Sequence, residues 1–268
     1  FGHGGFVEKQ TKRTIMPQSL EDFKMKLRGA KRSANVRRVE EFLRLEPGSF
    51  DHIPHYAREA ALSAIEDVRK LESQQAFRPG IYYIVLSDLS RATRTSATLG
   101  KDLNRYRVET FVLTCVESLG LIETTNYHHF LREIGDAALF VFSSFDDVLA
   151  WWRSMESWLQ GRNKMWARNL SASQMREFNL EAKTVVHAGE VDYSGGSSPI
   201  SLAVNQIFKM EKEFRPHELG ISEIVRQAAY PILKSNRLNP RPLKKIFLPG
   251  ATKSMQLFSA ARWPRNAA

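Results

Sequence analysis

The sequence contains very little cysteine and no long apolar run. Cys115 is the single cysteine among 268 residues, which excludes an internal disulfide bond and a structural zinc site built on several cysteines. The longest apolar runs, 81–86 and 137–142, are far shorter than the ~20 residues that a membrane-spanning helix requires. The N-terminus also lacks the apolar core of a signal peptide. We therefore expect a soluble, cytoplasmic protein with no transmembrane segment.

Acidic residues are in deficit as well. Asp and Glu number 29 against 39 Lys and Arg, which gives a formal net charge of +10. This excess attracts polyanions such as nucleic acid, acidic membrane surfaces and nucleotide phosphates. The sequence has neither a recognition helix nor an aromatic and basic strand pattern, so we expect no nucleic-acid partner. With 43% hydrophobic residues, the chain is too apolar to be disordered throughout.

The basic residues are concentrated in a predicted N-terminal segment at 1–78. Between residues 8 and 44 there are eleven Lys or Arg against five acidic residues, with apolar residues at helical spacing among them. A further amphipathic helix is predicted at about 54–72. The segment is either a helical subdomain that packs on the rest of the chain or a regulatory segment that binds an anionic surface. The remainder divides into a larger domain at 79–262 and a short tail at 263–268.

From residue 79 the pattern changes to strands that alternate with helices. Strands are predicted at 81–86, 121–134, 137–142 and 183–187, helices at 98–119, 145–159 and 200–214, and shorter elements near 222–229, 245–248 and 255–260. The second and third strands form a hairpin around Gly135 and Asp136. This order predicts an α+β fold, an α/β sandwich in which helices cover a sheet.

Two aspartates occupy positions at which a sheet would present them to a ligand. Asp88 follows the first predicted strand, and Asp136 lies in the tight turn of the hairpin. Carboxylates held at strand ends suit Mg²⁺ or Mn²⁺, which bind oxygen and often share their coordination with substrate phosphates. The alternative for each is structural, because Asp is a common helix cap and Gly-Asp a common turn.

The order of motifs around these aspartates resembles the catalytic domain of class III nucleotide cyclases over about 81–260. Four of that family's patterns occur in sequence: Asp88 with Thr93 five residues on, Arg132 before Gly135-Asp136, His187-Ala-Gly189-Glu190, and Val204-Asn205 with Lys209 four residues after the asparagine. The resemblance implies a class III cyclase-like sheet covered by helices. Residues 79–262 would be the catalytic domain and the N-terminal segment a helical extension.

The resemblance also implies a reaction. Asp88, Asp136 and the backbone carbonyl of Leu89 would hold two divalent metal ions, Mg²⁺ or Mn²⁺. The ribose 3′-hydroxyl of a nucleoside triphosphate would attack the α-phosphate, giving a 3′,5′-cyclic nucleotide and pyrophosphate.

The loop after Asp88 is a candidate phosphate site. Backbone amides from Ser90 to Thr93 would bind phosphate oxygens at a helix N-terminus. Arg91 stands where the family usually has glycine, so it either supplies a guanidinium to the phosphates or gives this loop another shape.

Asn205 and Lys209 are the remaining implied catalytic residues. Asn205 matches the asparagine that orients the ribose, and Lys209 falls where the family has an arginine that stabilises the transition state. Lysine keeps the positive charge but lacks the planar fork of arginine. The alternative is that Asn205 caps its helix and Lys209 is merely solvated. The family's active sites form between two antiparallel subunits, so we expect a homodimer.

Two positions are implied to read the base. They are Arg132 and, if the loop aligns without a gap, Ser198, and this pair matches neither the adenylate nor the guanylate cyclase pattern. Arginine is only a donor, and its length leaves less room for a purine, which favours a pyrimidine and UTP over CTP. These features resemble the bacterial pyrimidine cyclases of Pycsar anti-phage systems, whose cyclic UMP or cyclic CMP is read by a separate effector. An adenylate or guanylate cyclase, and a catalytically inert cyclase-like nucleotide-binding module, remain as alternatives.

Overall fold

The computed structural model describes residues 77–99, 101–168, 171–192 and 201–264. Nearly all of the predicted N-terminal segment, including both of its helical regions, lies outside the described residues, as does Ser198. Among the described residues, no helix is both long enough and apolar enough to cross a membrane.

Seven strands and seven helices make up the described residues. In chain order they are β1 Gly80–Leu89, α1 Ala92–Leu99, α2 Lys101–Leu119, β2 His128–Ile134, β3 Ala137–Phe142, α3 Phe145–Ala167, α4 Ala172–Phe178, β4 Ala182–Val191, α5 Leu202–Glu211, β5 Glu218–Ser222, α6 Glu223–Ala228, α7 Tyr230–Ser235, β6 Arg241–Ile246 and β7 Met255–Arg262.

The strands form one sheet in the order β2-β3-β1-β4-β5-β7-β6. β1 is antiparallel to both of its neighbours, whereas β4 and β5 run parallel. The register places Asp88 opposite Ala137 of β3 on one side and opposite Lys183 of β4 on the other. The end of β1 is therefore where the hairpin turn and the start of β4 come together.

Alternating side chains of β1 divide the core into two layers. Val85 and Leu89 pack into the larger layer, which includes residues of α2 and α3. Ile84 and Leu86 pack into the other layer, which includes the apolar side of α5. Asp88 has the same parity in the strand as Ile84 and Leu86, so its side chain lies on the α5 face of the sheet.

The α+β fold predicted from the sequence is confirmed. The strand predicted at 137–142 is β3. Gly135 in the turn before it adopts a positive φ of 62°, which glycine does at little cost because it has no side chain. The strand at 183–187 is β4, although it extends at both ends.

Several element boundaries differ from the prediction. β1 runs on to Leu89, so Asp88 lies inside the strand rather than after it. The hairpin strand predicted from 121 begins only at His128, because the Thr124 hydroxyl bonds to Asp147 at 3.0 Å and accepts from the Asn126 amide at 3.0 Å, which forms a turn. The single helix predicted at 98–119 is instead α1 and α2. The short helices α4 and α7 were not predicted.

Gly189 allows α5 to lie close against the sheet. A Cβ at this position of β4 would lie 2.5 Å from the Cβ of Ala203 in α5, which is far inside van der Waals contact. The glycine of the His-x-Gly motif therefore has a packing role in this protein. It sets the distance between the sheet and the helix that carries Asn205 and Lys209.

Replacing Gly189 with alanine should push α5 away from β4. We expect Gly189→Ala to lower the free energy of unfolding by about 1 to 3 kcal/mol through overpacking. Gly161→Ala is the matched control, because a Cβ at that helical position meets nothing within 4 Å and alanine favours helix. Urea denaturation should show the control to be as stable as the wild type or more so. Equal stability of Gly189→Ala and wild type would contradict the close-approach explanation.

Candidate functional site

The site lies where β1 ends, beside the β2–β3 turn. The Leu89 amide donates to the backbone carbonyl of Asp136 at 3.0 Å, which ties the strand end to the turn. The carboxyl groups of Asp88 and Asp136 are close enough for the charge of Asp136 to raise the pKa of Asp88. The structure thus brings together the two aspartates singled out from the sequence.

Two further charged residues join this pair. The ammonium of Lys183 lies 3.3 Å from a carboxylate oxygen of Asp88, and it also contacts the carboxylate of Glu211 at the end of α5. Neither Lys183 nor Glu211 was predicted as a site residue. Together with Asp136, these residues form a cluster of three carboxylates and one ammonium, which we call the carboxylate cluster.

The carboxylate cluster carries excess negative charge. Burial, followed by the charges of Glu211 and Asp136, raises the pKa of Asp88 to about 7, although Lys183 opposes the shift. Burial also raises the pKa of Asp136, and Glu211 adds to that shift. Burial alone would lower the pKa of Lys183, but Glu211 and Asp88 raise it above its ordinary value. A further cation would relieve the mutual repulsion of these carboxylates.

The chemistry of the carboxylate cluster fits a divalent cation that is only partly coordinated by protein. Within the described residues, no group of three or more His, Cys, Asp or Glu side chains is arranged to hold a metal ion. Mg²⁺ is commonly bound through one or two carboxylates, with water and substrate phosphates as its other ligands. Asp88 and Asp136 can supply that number of carboxylates, and Leu89 can add a backbone carbonyl.

The loop after β1 turns sharply into α1. The Ser90 amide donates to the Glu181 carbonyl at 2.8 Å, and the carbonyl of Arg91 accepts from the Thr95 amide at 2.9 Å to begin the helix. Arg91 has a φ of 66°, in the left-handed region that glycine adopts more readily. Thr93 lies in the first turn of α1. Glycine has no side chain to clash at a positive φ, which explains why class III cyclases usually have glycine at this position.

The guanidinium of Arg91 is engaged with protein groups on one side. It lies 3.8 Å from a Glu181 carboxylate oxygen and 3.5 Å from the carbonyl of Arg176. Its side chain is half exposed, so one side remains open to solvent. Its assignment to the phosphates remains a prediction.

Asn205 and Lys209 lie one turn apart on the exposed side of α5. The alternative that Asn205 caps the helix is wrong, because the Ser201 hydroxyl is the cap and accepts from the amides of Ala203 and Val204. Residues two apart on a helix do not share a face, so Lys209 points away from Glu211 and from the carboxylate cluster. One chain therefore does not bring Asn205 and Lys209 together with its own aspartates.

A buried hydrogen-bond network anchors the inner side of α5. Gln206 donates its amide N–H to the Pro249 carbonyl at 2.8 Å, which leaves its oxygen to accept from His187 Nε2 at 2.9 Å. The Ser222 hydroxyl lies 2.9 Å from His187 Nδ1 and accepts from the Val225 amide. The Gln206 oxygen accepts from His187 Nε2, and burial, which lowers the pKa of His187, favours the neutral ring with its proton on Nε2. These bonds fix the rotation of α5 about its axis.

Loss of His187 should have a pH-dependent cost. Burial lowers the pKa of His187 below its ordinary value of 6.5, so the unfolded chain binds a proton here more readily than the native protein. The wild type therefore loses stability as pH falls below about 6.5, and a variant without the imidazole escapes that loss. In urea denaturation, His187→Asn should be less stable than wild type at pH 8, with a smaller deficit at pH 5. A deficit independent of pH would show that His187 titrates normally.

The two predicted base-reading residues fare differently. Arg132 lies in β2 at the edge of the sheet, next to a bulge, and its Nε donates to the Glu133 carbonyl at 3.5 Å. Ser198 lies outside the described residues. The pairing of the two around a base therefore remains a prediction.

Comparison with known proteins shows which fold the chain has, through similarity to solved structures. No family model matches the sequence, and no curated protein does. A bacterial light-regulated adenylyl cyclase has a similar structure, with a TM-score of 0.52 and 14% identity over 75% of this chain and 63% of that one. The guanylyl cyclase Cya2 gives 0.50 and 18% identity over 71% of this chain and 96% of its own. A Trypanosoma brucei adenylate cyclase has a TM-score of 0.50 and 11% sequence identity, and the match covers 69% of this chain and 89% of that one. The chain has the fold of class III nucleotide cyclase catalytic domains.

Proposed function

We propose that this protein is a metal-dependent nucleotide cyclase whose metal site is built on Asp88 and Asp136. The observation that carries the proposal is the meeting of these two carboxyl groups at adjacent strand ends, with an excess of negative charge, on a fold that adenylyl and guanylyl cyclases use. A structural cap or turn would not require two carboxylates to repel each other at a partly buried position.

The residues of this chain divide the work by charge. Asp88, Asp136 and the Leu89 carbonyl would hold two Mg²⁺ or Mn²⁺ ions, which, when bound, supply positive charge to the triphosphate and favour ionisation of the ribose 3′-hydroxyl. Lys183 adds a protein cation at the same strand end and would pair with phosphate oxygens. The amides at the start of α1 would bind the same oxygens through hydrogen bonds.

The exposed side of α5 favours an active site shared between two copies of the chain. Asn205 and Lys209 point to solvent, away from the aspartates of their own chain. In a homodimer they would face the carboxylate cluster of the partner, where Asn205 would orient the ribose and Lys209 would stabilise charge on the α-phosphate. A lysine supplies this charge without the two parallel donors of an arginine.

We propose a pyrimidine nucleotide, with UTP favoured over CTP, as the substrate. Arg132 offers only donors, which match the O2 and O4 acceptors of uracil. The cyclic product would serve as a second messenger in anti-phage defence, read by a separate effector in the cytoplasm. The competing function is an inert module that binds nucleotides without turnover, which the replacement of arginine by Lys209 favours.

Removal of one metal carboxylate should abolish turnover without unfolding the protein. We expect Asp136→Asn to reduce cyclic nucleotide formation at least a hundredfold when each of the four NTPs is incubated with Mn²⁺ and the products are separated by chromatography. Asp146→Asn, which changes an exposed aspartate in the first turn of α3, is the matched control and should retain full activity. Full activity of Asp136→Asn would show that the metal assignment is wrong. Absence of a cyclic product from the wild type with every NTP would favour the inert module.

Loss of the Arg132 guanidinium should change which base is accepted. In the wild type we expect UTP to give the highest kcat/KM, and in Arg132→Ala we expect that preference over ATP to fall at least tenfold because a donor is lost and the pocket widens. Arg153→Ala, which removes an exposed arginine on α3, controls for the loss of charge alone. An unchanged ratio of the four kcat/KM values would remove Arg132 from the base pocket.

A further inference from the structure

Arg107 is a buried cation whose hydrogen-bond acceptors are backbone carbonyls. It lies in α2 with 1% of its surface exposed, and within the described residues its guanidinium forms no ion pair. It donates instead to backbone carbonyls of residues outside its own helix. The acceptors are Ser90 at 2.8 Å, Asn179 at 2.6 and 3.1 Å, and Phe178 at 3.3 Å.

These bonds join two segments that border the carboxylate cluster. Ser90 is the first residue after β1, Phe178 is the last residue of α4, and Asn179 follows it in the segment that leads into β4. The Ser90 amide itself donates to the Glu181 carbonyl at 2.8 Å, so both backbone polar groups of this residue are held. Arg107 therefore ties the loop after Asp88 to the segment that leads from α4 into β4.

The bond to Ser90 determines where the next amide points. A trans peptide unit directs its C=O and its N–H to opposite sides. Because the Ser90 carbonyl turns inward to Arg107, the N–H of Arg91 turns outward, away from the guanidinium. Arg91 has a φ of 66°, a conformation that costs a residue with a side chain free energy unless its surroundings hold it. Arg107 supplies that restraint at the residue immediately before it.

Filling the core does not by itself explain a charged group at this position. Burial lowers the pKa of Arg107 to about 10, against the opposing charges of Glu181 and Asp136, so the guanidinium is still charged at neutral pH. A buried charge costs free energy that an apolar side chain of similar volume would avoid. Among the described residues, Nη1 of Arg107 has no hydrogen-bond acceptor. What the guanidinium provides, and an apolar side chain would not, is the set of hydrogen bonds to the Ser90 and Asn179 carbonyls.

We infer that Arg107 is a positioning residue, which holds the Ser90–Arg91 turn in the conformation that presents the backbone amides from Arg91 onward to a triphosphate, since the Ser90 amide is bonded to the Glu181 carbonyl. It acts through the Ser90 carbonyl and touches no substrate. The role in substrate binding rests on the proposed function, whereas the role in holding the turn does not.

The chain provides a matched control for the loss of a buried arginine. Arg162 of α3 is 4% exposed, and its guanidinium is paired with the Glu117 carboxylate at 2.9 Å. Its partner is a side chain of α2 rather than a backbone carbonyl of the loop after β1. Arg162→Met therefore removes a buried guanidinium and should destabilise the domain without releasing the Ser90–Arg91 turn.

The test compares full-length wild type with Arg107→Met, Arg107→Lys and Arg162→Met by hydrogen exchange and mass spectrometry. We expect amides in peptides covering 89–95 to exchange at least tenfold faster in Arg107→Met, with little change in β3 and α5. Arg107→Lys keeps the charge but not the planar fork, so it should give intermediate rates. Arg162→Met should leave exchange in 89–95 at the wild-type rate relative to the rest of the domain.

A second measurement tests the link to phosphate binding. Calorimetric titration with tripolyphosphate and Mg²⁺ should show at least tenfold weaker binding to Arg107→Met than to Arg162→Met. Wild-type exchange in 89–95 of Arg107→Met would overturn the inference, and so would equal tripolyphosphate affinities of the two variants. If Arg107→Met does not fold, the same comparisons on Arg107→Lys decide the matter. Failure of the wild type to bind tripolyphosphate or to cyclise any NTP would refute the proposed function. The exchange measurement would still decide whether Arg107 holds the Ser90–Arg91 turn.

Discussion

The site depends on the register of β1 between its two antiparallel neighbours. Side chains alternate along a strand, so a slip of one residue would turn Asp88 into the opposite core layer and away from Lys183. Leu86 and Leu89 fix the register, because each is buried on its own face of the sheet. Apolar packing therefore brings the carboxylates together against their mutual repulsion. The free energy gained by burying apolar side chains around the site offsets the cost of that repulsion.

Local patterns, together with the order of the motifs around them, single out the two aspartates but not their surroundings. Asp88 ends an apolar run and Asp136 occupies a Gly-Asp turn, and both signals lie within a few residues of the side chain concerned. Lys183 and Glu211 join them only through strand pairing and through the docking of α5, which no short stretch of sequence encodes. A lysine at the start of an apolar strand, and a glutamate two residues after Lys209, were the only available hints.

Arg107 shows a different limit of sequence analysis. Helical periodicity assigns charged residues to the solvent side, yet this arginine is buried because its acceptors are main-chain carbonyls. Carbonyl groups belong to every residue, so they leave no trace in the sequence. The helix α5, by contrast, can be predicted from its sequence, because Ser201 is a typical cap residue and apolar residues recur on one side. The helical period then identifies which of its residues are exposed.

Lys183 also bears on how the protein acquires its native structure. Its ammonium is a positive charge of the protein itself beside Asp88 and Glu211, and it partly neutralises them. The folded chain therefore does not depend on a metal ion for all of the positive charge that holds these carboxylates together. Such a chain would be purified intact in the presence of a chelator, unlike small domains whose folding is driven by metal coordination.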